Sequence, residues 1–246
     1  MDLGSQTVLI TGGASGIGSA LAERFLNAGS EVIVCGRRED KLREIKAKFP
    51  KIHTRACDAS RSSERISLFQ WTAKEFPNTN VLINNAGIQR RFQLAQASRW
   101  DEVEEEIAIN LDAPIHLTTL FIPHLAAQGH PAIINITSGL AFAPMAMAPV
   151  YCATKAALRS FTLSLRHQLS STPISVIEII PPAVNTDLGG KGLHSTATPL
   201  DEFADAAVEQ LKNGSLEISY GFSSNASRAS RDELNEMFKR MNQPRR

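Results

Sequence analysis

Short β-branched runs alternate with helical patterns along this chain, and that alternation constrains the fold more than any other feature. Thr7–Ile10, Val32–Val34, Ile52–Cys57, Val81–Ile83, Ala132–Ile136, Ile174–Ile180 and Leu216–Tyr220 read as strands. Between them Ser15–Ala28, Arg38–Phe49, Ser62–Phe76, Ser98–Leu111, Pro114–Gln128, Pro149–Leu169 and Asp201–Lys212 read as helices, and Arg231–Met241 follows as a last helix. In Ser15–Ala28 the apolar residues Ile17, Leu21, Phe25 and Ala28 fall on one helical face. Gly29, Pro50, Pro77 and Gly129 stand where the patterns stop. Strand–helix alternation at this spacing builds parallel βαβ units, and right-handed crossovers place helices on both faces of one sheet. The expected fold is α/β, a doubly wound and mostly parallel sheet of seven strands. No repeat or linker interrupts the pattern, so residues 1–246 are expected to form a single domain. The one long irregular stretch, Pro181–Pro199, is rich in Gly, Pro, Ser and Thr, and residues 187–199 within it read as a substrate lid.

Composition removes several function classes. Lys and Arg number 26 against 25 Asp and Glu, a formal net charge of +1, which offers no general attraction to nucleic acid or an anionic membrane. Cys35, Cys57 and Cys152 form no Cys-x-x-Cys pair, and the odd count argues against a disulfide framework and for a reducing compartment, hence the cytoplasm. The six histidines show no metal-ligand spacing, so no metal is expected. The start, Met1 to Ser5, does not read as a signal peptide. Pro131–Thr154 carries no charge, but Asn135, Thr137, Ser138, Pro144 and Pro149 make it strand, loop and helix start rather than a membrane span.

Four clusters carry chemistry. Thr11-Gly12-Gly13-Ala14-Ser15-Gly16-Ile17-Gly18 follows a strand and opens a helix. Glycines there let the backbone turn tightly against a pyrophosphate, and the helix N-terminus offers free N–H groups to it, the arrangement of a Rossmann-type fold. The alternative is a glycine-rich turn that binds nothing. At the tip of the second strand, where NAD-selective folds carry an acid, the chain has Cys35-Gly36-Arg37-Arg38. A guanidinium suits a 2′-phosphate, which points to NADP(H), and the alternative is a solvated helix start. Tyr151 and Lys155, four residues apart, share a helix face, and an ammonium near a phenol lowers its pKa, which equips it to exchange a proton with a substrate oxygen; the alternative, which the pair taken alone favours, is an exposed i,i+4 pair on a surface helix. Ser138 ends the fifth strand, thirteen residues before Tyr151 (138 to 151). The glycine loop, Arg37, Asp58, Asn84-Asn85-Ala86-Gly87 and Ser138 all follow strands, so they converge on one edge of the sheet, where open α/β folds bind ligands.

With Asn110 and the segment Pro181-Pro182-Ala183-Val184-Asn185-Thr186, these pieces resemble the short-chain dehydrogenase/reductase family over essentially the whole chain. The resemblance implies an NADP(H)-dependent oxidoreductase that interconverts a ketone or aldehyde and an alcohol. It makes Tyr151 the general acid/base, Ser138 the hydrogen-bond partner of the substrate oxygen, Lys155 the ribose ligand that lowers the tyrosine pKa, and Asn110 the holder of a relay water. It gives Gly12, Ser15, Gly16, Ile17, Gly18, Arg37, Arg38, Asp58, Asn85, Ala86, Gly87, Val184 and Thr186 to the cofactor, with Tyr151 and Lys155. It also implies a homodimer or homotetramer built on helices near 110–128 and 149–169.

Pro182 departs from the family's usual Pro-Gly, and no Gly-Gly pair follows the last strand. With Asn85-Ala86-Gly87-Ile88-Gln89, these departures resemble a subgroup of mostly microbial oxidoreductases, some named after the D-alanyl-lipoteichoic acid operon. Rival readings are an epimerase or dehydratase, a C=C reductase, or a non-catalytic NADP(H)-binding sensor or scaffold. The chain has no room for the larger substrate domain of the first, and the second spaces its tyrosine and lysine more widely. The third commonly lacks one of the polar residues present here. Leu140, with Phe142, Met145 and Met147, is placed to line a substrate pocket or the core. Cys152 reads as a packing residue, Arg90 and Arg91 as loop residues or partners of an acidic substrate group, and Pro244-Arg245-Arg246 as a frayed tail.

Overall fold

The computed structural model describes residues 1–94 and 99–243. Seven strands, β1 (Thr7–Thr11), β2 (Glu31–Gly36), β3 (His53–Ala56), β4 (Val81–Asn84), β5 (Ala132–Ile136), β6 (Ser175–Ile180) and β7 (Glu217–Ser219), form one sheet in the order β3-β2-β1-β4-β5-β6-β7. Every pairing between neighbours is parallel. The helices are α1 (Gly16–Asn27), α2 (Glu39–Lys48), α3 (Ser62–Glu75), α4 (Trp100–Ile107), α5 (Ala113–Leu125), α6 (Pro149–Gln168), α7 (Leu200–Lys212), α8 (Phe222–Ala226) and α9 (Arg231–Met241). Alternation along the buried strands decides which layer each residue joins. Val8 and Ile10 of β1 pack with Leu21 and Phe25 of α1, Leu42 of α2 and Phe203 of α7. Leu9, between them, packs on the other face with Leu68 of α3, Leu117 and Phe121 of α5 and Leu165 of α6.

Two local expectations are revised. The two separate helices expected over 98–111 and 114–128 are one continuous run from Trp100 to Leu125, joined by a π-helical turn at Ala108–Asp112. Ala113 N–H reaches back five residues to the Ala108 carbonyl, and Pro114 follows with no N–H to offer. The widened turn absorbs a proline that would otherwise break the helix, and such turns recur at functional sites. The expected start at Ser98 lies outside the described residues, as does the expected tail Pro244–Arg246. The short helix α8 was not anticipated, because a five-residue turn without periodicity has no sequence signature of its own.

The topology fixes where ligands meet the sheet. After β3 the chain crosses to β4 on the other side of β1, so the connections diverge between β1 and β4. The glycine loop leaves β1 and Asn85-Ala86-Gly87 leaves β4 at that crevice, the place where doubly wound sheets bind ligands. Among the described residues no helix is long and apolar enough to cross a membrane, and no cluster of His, Cys, Asp and Glu could hold a metal ion.

Candidate active site

Thr11 ties the two loops of the crevice together. Its hydroxyl donates to the Ile83 carbonyl at 3.3 Å and accepts from the N–H groups of Asn85 and Ala86, both at 3.0 Å. The Asn85 carboxamide donates to the carbonyls of Thr11 and Gly12 at 2.9 and 3.1 Å. That close approach explains Gly18, where a Cβ would lie 2.4 Å from Asn85 Nδ2 and 2.6 Å from the Gly12 carbonyl oxygen. Gly12 and Gly16 have φ of +63° and +53°, a region that side chains avoid. Ser15 caps α1 without a side-chain bond to its backbone N–H groups, which leaves the first turn's donors facing the crevice. A Cβ on Gly16 would lie 3.3 Å from Thr186 Cγ2, so Thr186 closes the loop from the β6 side. Val184, two residues earlier, is buried and bridges to Thr198, holding the two ends of segment 187–199 side by side.

The two arginines after β2 are not equivalent. Arg38 donates from Nη2 to Ser15 Oγ at 2.7 Å and so touches the glycine loop directly. Arg37 instead reaches Glu105 on α4, and the same carboxylate pairs with Arg90. Hydrogen bonds from Arg90 and Arg37 hold the Glu105 carboxyl below its ordinary range. Burial pushes the Asp58 carboxyl up, but bonds from the Ser60 hydroxyl and N–H, with Arg37 and Arg61 nearby, leave it lowered overall.

Ser138, Tyr151, Lys155 and Asn110 meet on the other side of the crevice, and all four are buried. The Ser138 hydroxyl lies beside the Tyr151 phenol and favours its ionised form. Lys155 donates to the Ile136 carbonyl at 2.8 Å, and its ammonium is 5.7 Å from the centre of the Tyr151 ring. A Cβ on Gly87 would lie 3.4 Å from Asn110 Oδ1 and 3.7 Å from Lys155 Nζ, so the carboxamide and the ammonium converge on that glycine. Asn110 sits in the π turn and holds both polar groups of Ile88, accepting from its N–H at 2.9 Å and donating to its carbonyl at 2.8 Å.

One electrostatic expectation is corrected. Lys155 was expected to lower the phenol of Tyr151, whereas burial raises it above its ordinary value, against a smaller opposing effect of the Ser138 hydroxyl. Burial also pushes the Lys155 ammonium down, to about 8. Both groups share one desolvated pocket, which disfavours each charge separately.

The loop from Ser138 to Tyr151 is braced from behind. Cys152 Sγ accepts from Met145 N–H at 3.3 Å, so this cysteine anchors the loop as well as packing. Phe142 lies under the Arg159 guanidinium at 4.3 Å, which places it in the brace. Leu140, Met145 and, from segment 187–199, Leu188 pack against the cluster of Ala148, Tyr151 and Cys152, while Met147 is exposed. Sequence reasoning missed Glu105 and Glu106. Their only trace in the sequence is the acidic run Asp101–Glu106, in which no local signal marks either residue as buried or paired.

A glycine loop at the topological switch point, opposite a buried Ser-Tyr-Lys-Asn group, defines a Rossmann-type oxidoreductase. The sequence comparisons then give the family. Residues 6–195 match the family model for short chain dehydrogenases, and the chain belongs to that family. It is 46% identical over 248 aligned residues to the uncharacterized oxidoreductase DltE of Bacillus subtilis (strain 168), covering 98% of each chain. It is 32% identical to the NADP-dependent 3-hydroxy acid dehydrogenase YdfG of Escherichia coli (strain K12), covering 72% of each. Among solved structures it resembles a short-chain dehydrogenase from Sphingobium yanoikuyae in complex with NADPH, with a TM-score of 0.78, 28% identity and 87% of each chain covered.

Proposed function

We propose that the protein uses NADP(H) to interconvert a ketone or aldehyde and the corresponding alcohol. The observation that carries this reading is the convergence of Ser138, Tyr151, Lys155 and Asn110 in one buried group beside a crevice whose glycines leave no room for side chains. The crevice fits a dinucleotide: Gly12, Gly16, Ile17 and Gly18 with the first turn of α1 would receive the pyrophosphate, and Asp58, Asn85, Ala86 and Gly87 the adenosine side. Arg38 beside Ser15, with Arg37, would meet a 2′-phosphate, and Val184 and Thr186 would hold the nicotinamide end. When bound, that cofactor supplies or accepts the hydride.

The chain's own residues supply position and a proton. Ser138 hydrogen-bonds the substrate oxygen and holds it against the Tyr151 hydroxyl. Burial makes the phenol a weaker acid in the protein alone, so it stays protonated at neutral pH and gives the proton up only as the carbonyl oxygen takes on negative charge and becomes the stronger base. Lys155 places an ammonium close to that phenol and stabilises the tyrosinate left behind, and Asn110 fixes the backbone beside it. Leu140 and Leu188, packed against the cluster of Ala148, Tyr151 and Cys152, give the substrate an apolar wall, and residues 187–199 serve as its lid.

The NADP-dependent relative YdfG and the NADPH-bound structural neighbour support the choice of cofactor. The exposed Trp100 and Leu163 suit the proposed homodimer or homotetramer, and the three free thiols suit the cytoplasm. The test is NADPH consumption across a panel of ketones and aldehydes. Turnover that disappears in Tyr151→Phe supports the reading; turnover unchanged in that variant, or NADPH binding without turnover on any carbonyl, refutes it.

A further inference from the structure

Glu106 is a carboxyl with no role in the mechanism above, yet it is completely buried. Its Oε1 accepts from the Arg90 N–H at 3.3 Å, and its Oε2 has no hydrogen-bond partner among the described residues. An orphaned carboxyl oxygen in a protein interior is costly, and an apolar residue would fill the position more cheaply. The surrounding geometry shows what the carboxyl does. Glu106 stands four residues before Asn110 on the same continuous helix. Asn110 holds Ile88 and Glu106 holds Arg90, so two side chains of one helix grip alternate residues of the extended segment leaving β4. Gln89, between the two grips, approaches the proposed lid: a Cβ on Gly189 would lie 3.2 Å from Gln89 Oε1.

We propose that Glu106 is a positioning residue for the reaction at Tyr151, acting with Asn110 as a two-point clamp that presents Gln89 to the lid and fixes the floor of the substrate space. The proposal rests on the carbonyl-reductase reading for its catalytic consequence, but the clamp stands on the geometry alone. The clamp is also sensitive to pH. Burial raises Glu106 to about 7, against the weaker pull of Arg90. The titratable and charged groups around it are Arg90 from the β4 segment, Tyr151 and Cys152 from α6, and Glu102 and Glu105 on its own helix. Ionisation strengthens the bond from Arg90 N–H, because a carboxylate is the better acceptor. It also sets a negative charge near the Tyr151 phenol, pushing it further up.

The experiment compares wild type with Glu106→Gln, which keeps the Oε1 acceptor, and Glu106→Leu, which removes it. Amide exchange of Arg90, corrected for intrinsic rate, is expected to slow across neutrality in wild type, to be independent of pH in the Gln variant and to be at least about tenfold faster in the Leu variant. An infrared carboxyl band titrating near neutrality is expected in wild type and absent from both variants. Should the Leu variant fail to fold, wild type against Gln still decides. Arg90 exchange that is equal in all three proteins, or equally fast in Gln and Leu, overturns the clamp; absence of the neutral band overturns its pH sensitivity. On any ketone that wild type reduces, the Gln variant should retain kcat while losing the ionisation near neutrality from the pH profile of kcat/KM. A profile unchanged by Gln overturns the catalytic role. If wild type reduces no ketone, the functional reading has failed, and exchange and infrared still judge the clamp.

Discussion

Replacing Arg38 by alanine should weaken NADPH binding more than replacing Arg37, although both arginines sit at the same strand tip. Arg38 already contacts the glycine loop through Ser15 and needs no partner removed before it meets a 2′-phosphate. A hydrogen bond to a charged group is worth about 1.5–3 kcal/mol, so Arg38→Ala should raise the Kd for NADPH by about ten- to hundredfold. Arg37 must first leave Glu105, a half-exposed pair whose value is about 0.2–1 kcal/mol. That exchange diminishes its contribution, so Arg37→Ala should cost up to about fivefold less than Arg38→Ala. By the same reasoning Glu105→Gln, which frees Arg37, should tighten NADPH up to about fivefold, while Arg90 loses its own partner on the same carboxylate. NADH, lacking the phosphate, should bind all four proteins alike. The assay is fluorescence titration with each cofactor at one fixed ionic strength, since salt screens exposed charges. A larger loss from Arg37→Ala than from Arg38→Ala, or weaker NADPH binding by Glu105→Gln, would refute the reasoning.

Two further outcomes follow from buried charges. Burial lowers Lys155 from 10.5 to about 8, so between those values the unfolded chain binds more protons and stability rises with pH, the full cost being felt below about 8. Lys155→Met should therefore abolish activity yet stabilise the protein at neutral pH by up to about 3 kcal/mol and remove that rise, as measured by urea unfolding at neutral and alkaline pH. Glu178 is fully buried, accepts from Thr137 Oγ1 at 2.7 Å and pairs with Arg159. Arg159→Met should cost about 3–5 kcal/mol by stranding that carboxylate, and a loss below about 1 kcal/mol would contradict the assignment. The variant should also raise KM, because Arg159 stacks on Phe142 of the substrate loop.

The succession of the seven strands, the helices other than α8, and the edge on which the glycine loop, Asn85 and Ser138 gather were legible in the chain itself. Short-range periodicity encodes each element, and the single handedness of parallel crossovers leaves few ways to assemble them. The spacing of Tyr151 and Lys155 is a local property of one helix, but it marked them as a pair with chemistry only in company with the glycine loop, Asn85 and Ser138. The π turn that carries Asn110 depends on how the helix passes Pro114 while packed against α6, and the division of labour between Arg37 and Arg38 depends on Glu105 arriving from a distant helix. Burial, which raises Tyr151 and lowers Lys155, is the sum of every neighbour around them. Nothing local in the acidic run 101–106 sets Glu106 apart, and it is packing against α6 that removes it from water. Local sequence determines what each segment can become; desolvation and the pairing of distant charges exist only once the segments have met, and those were decided by the tertiary structure.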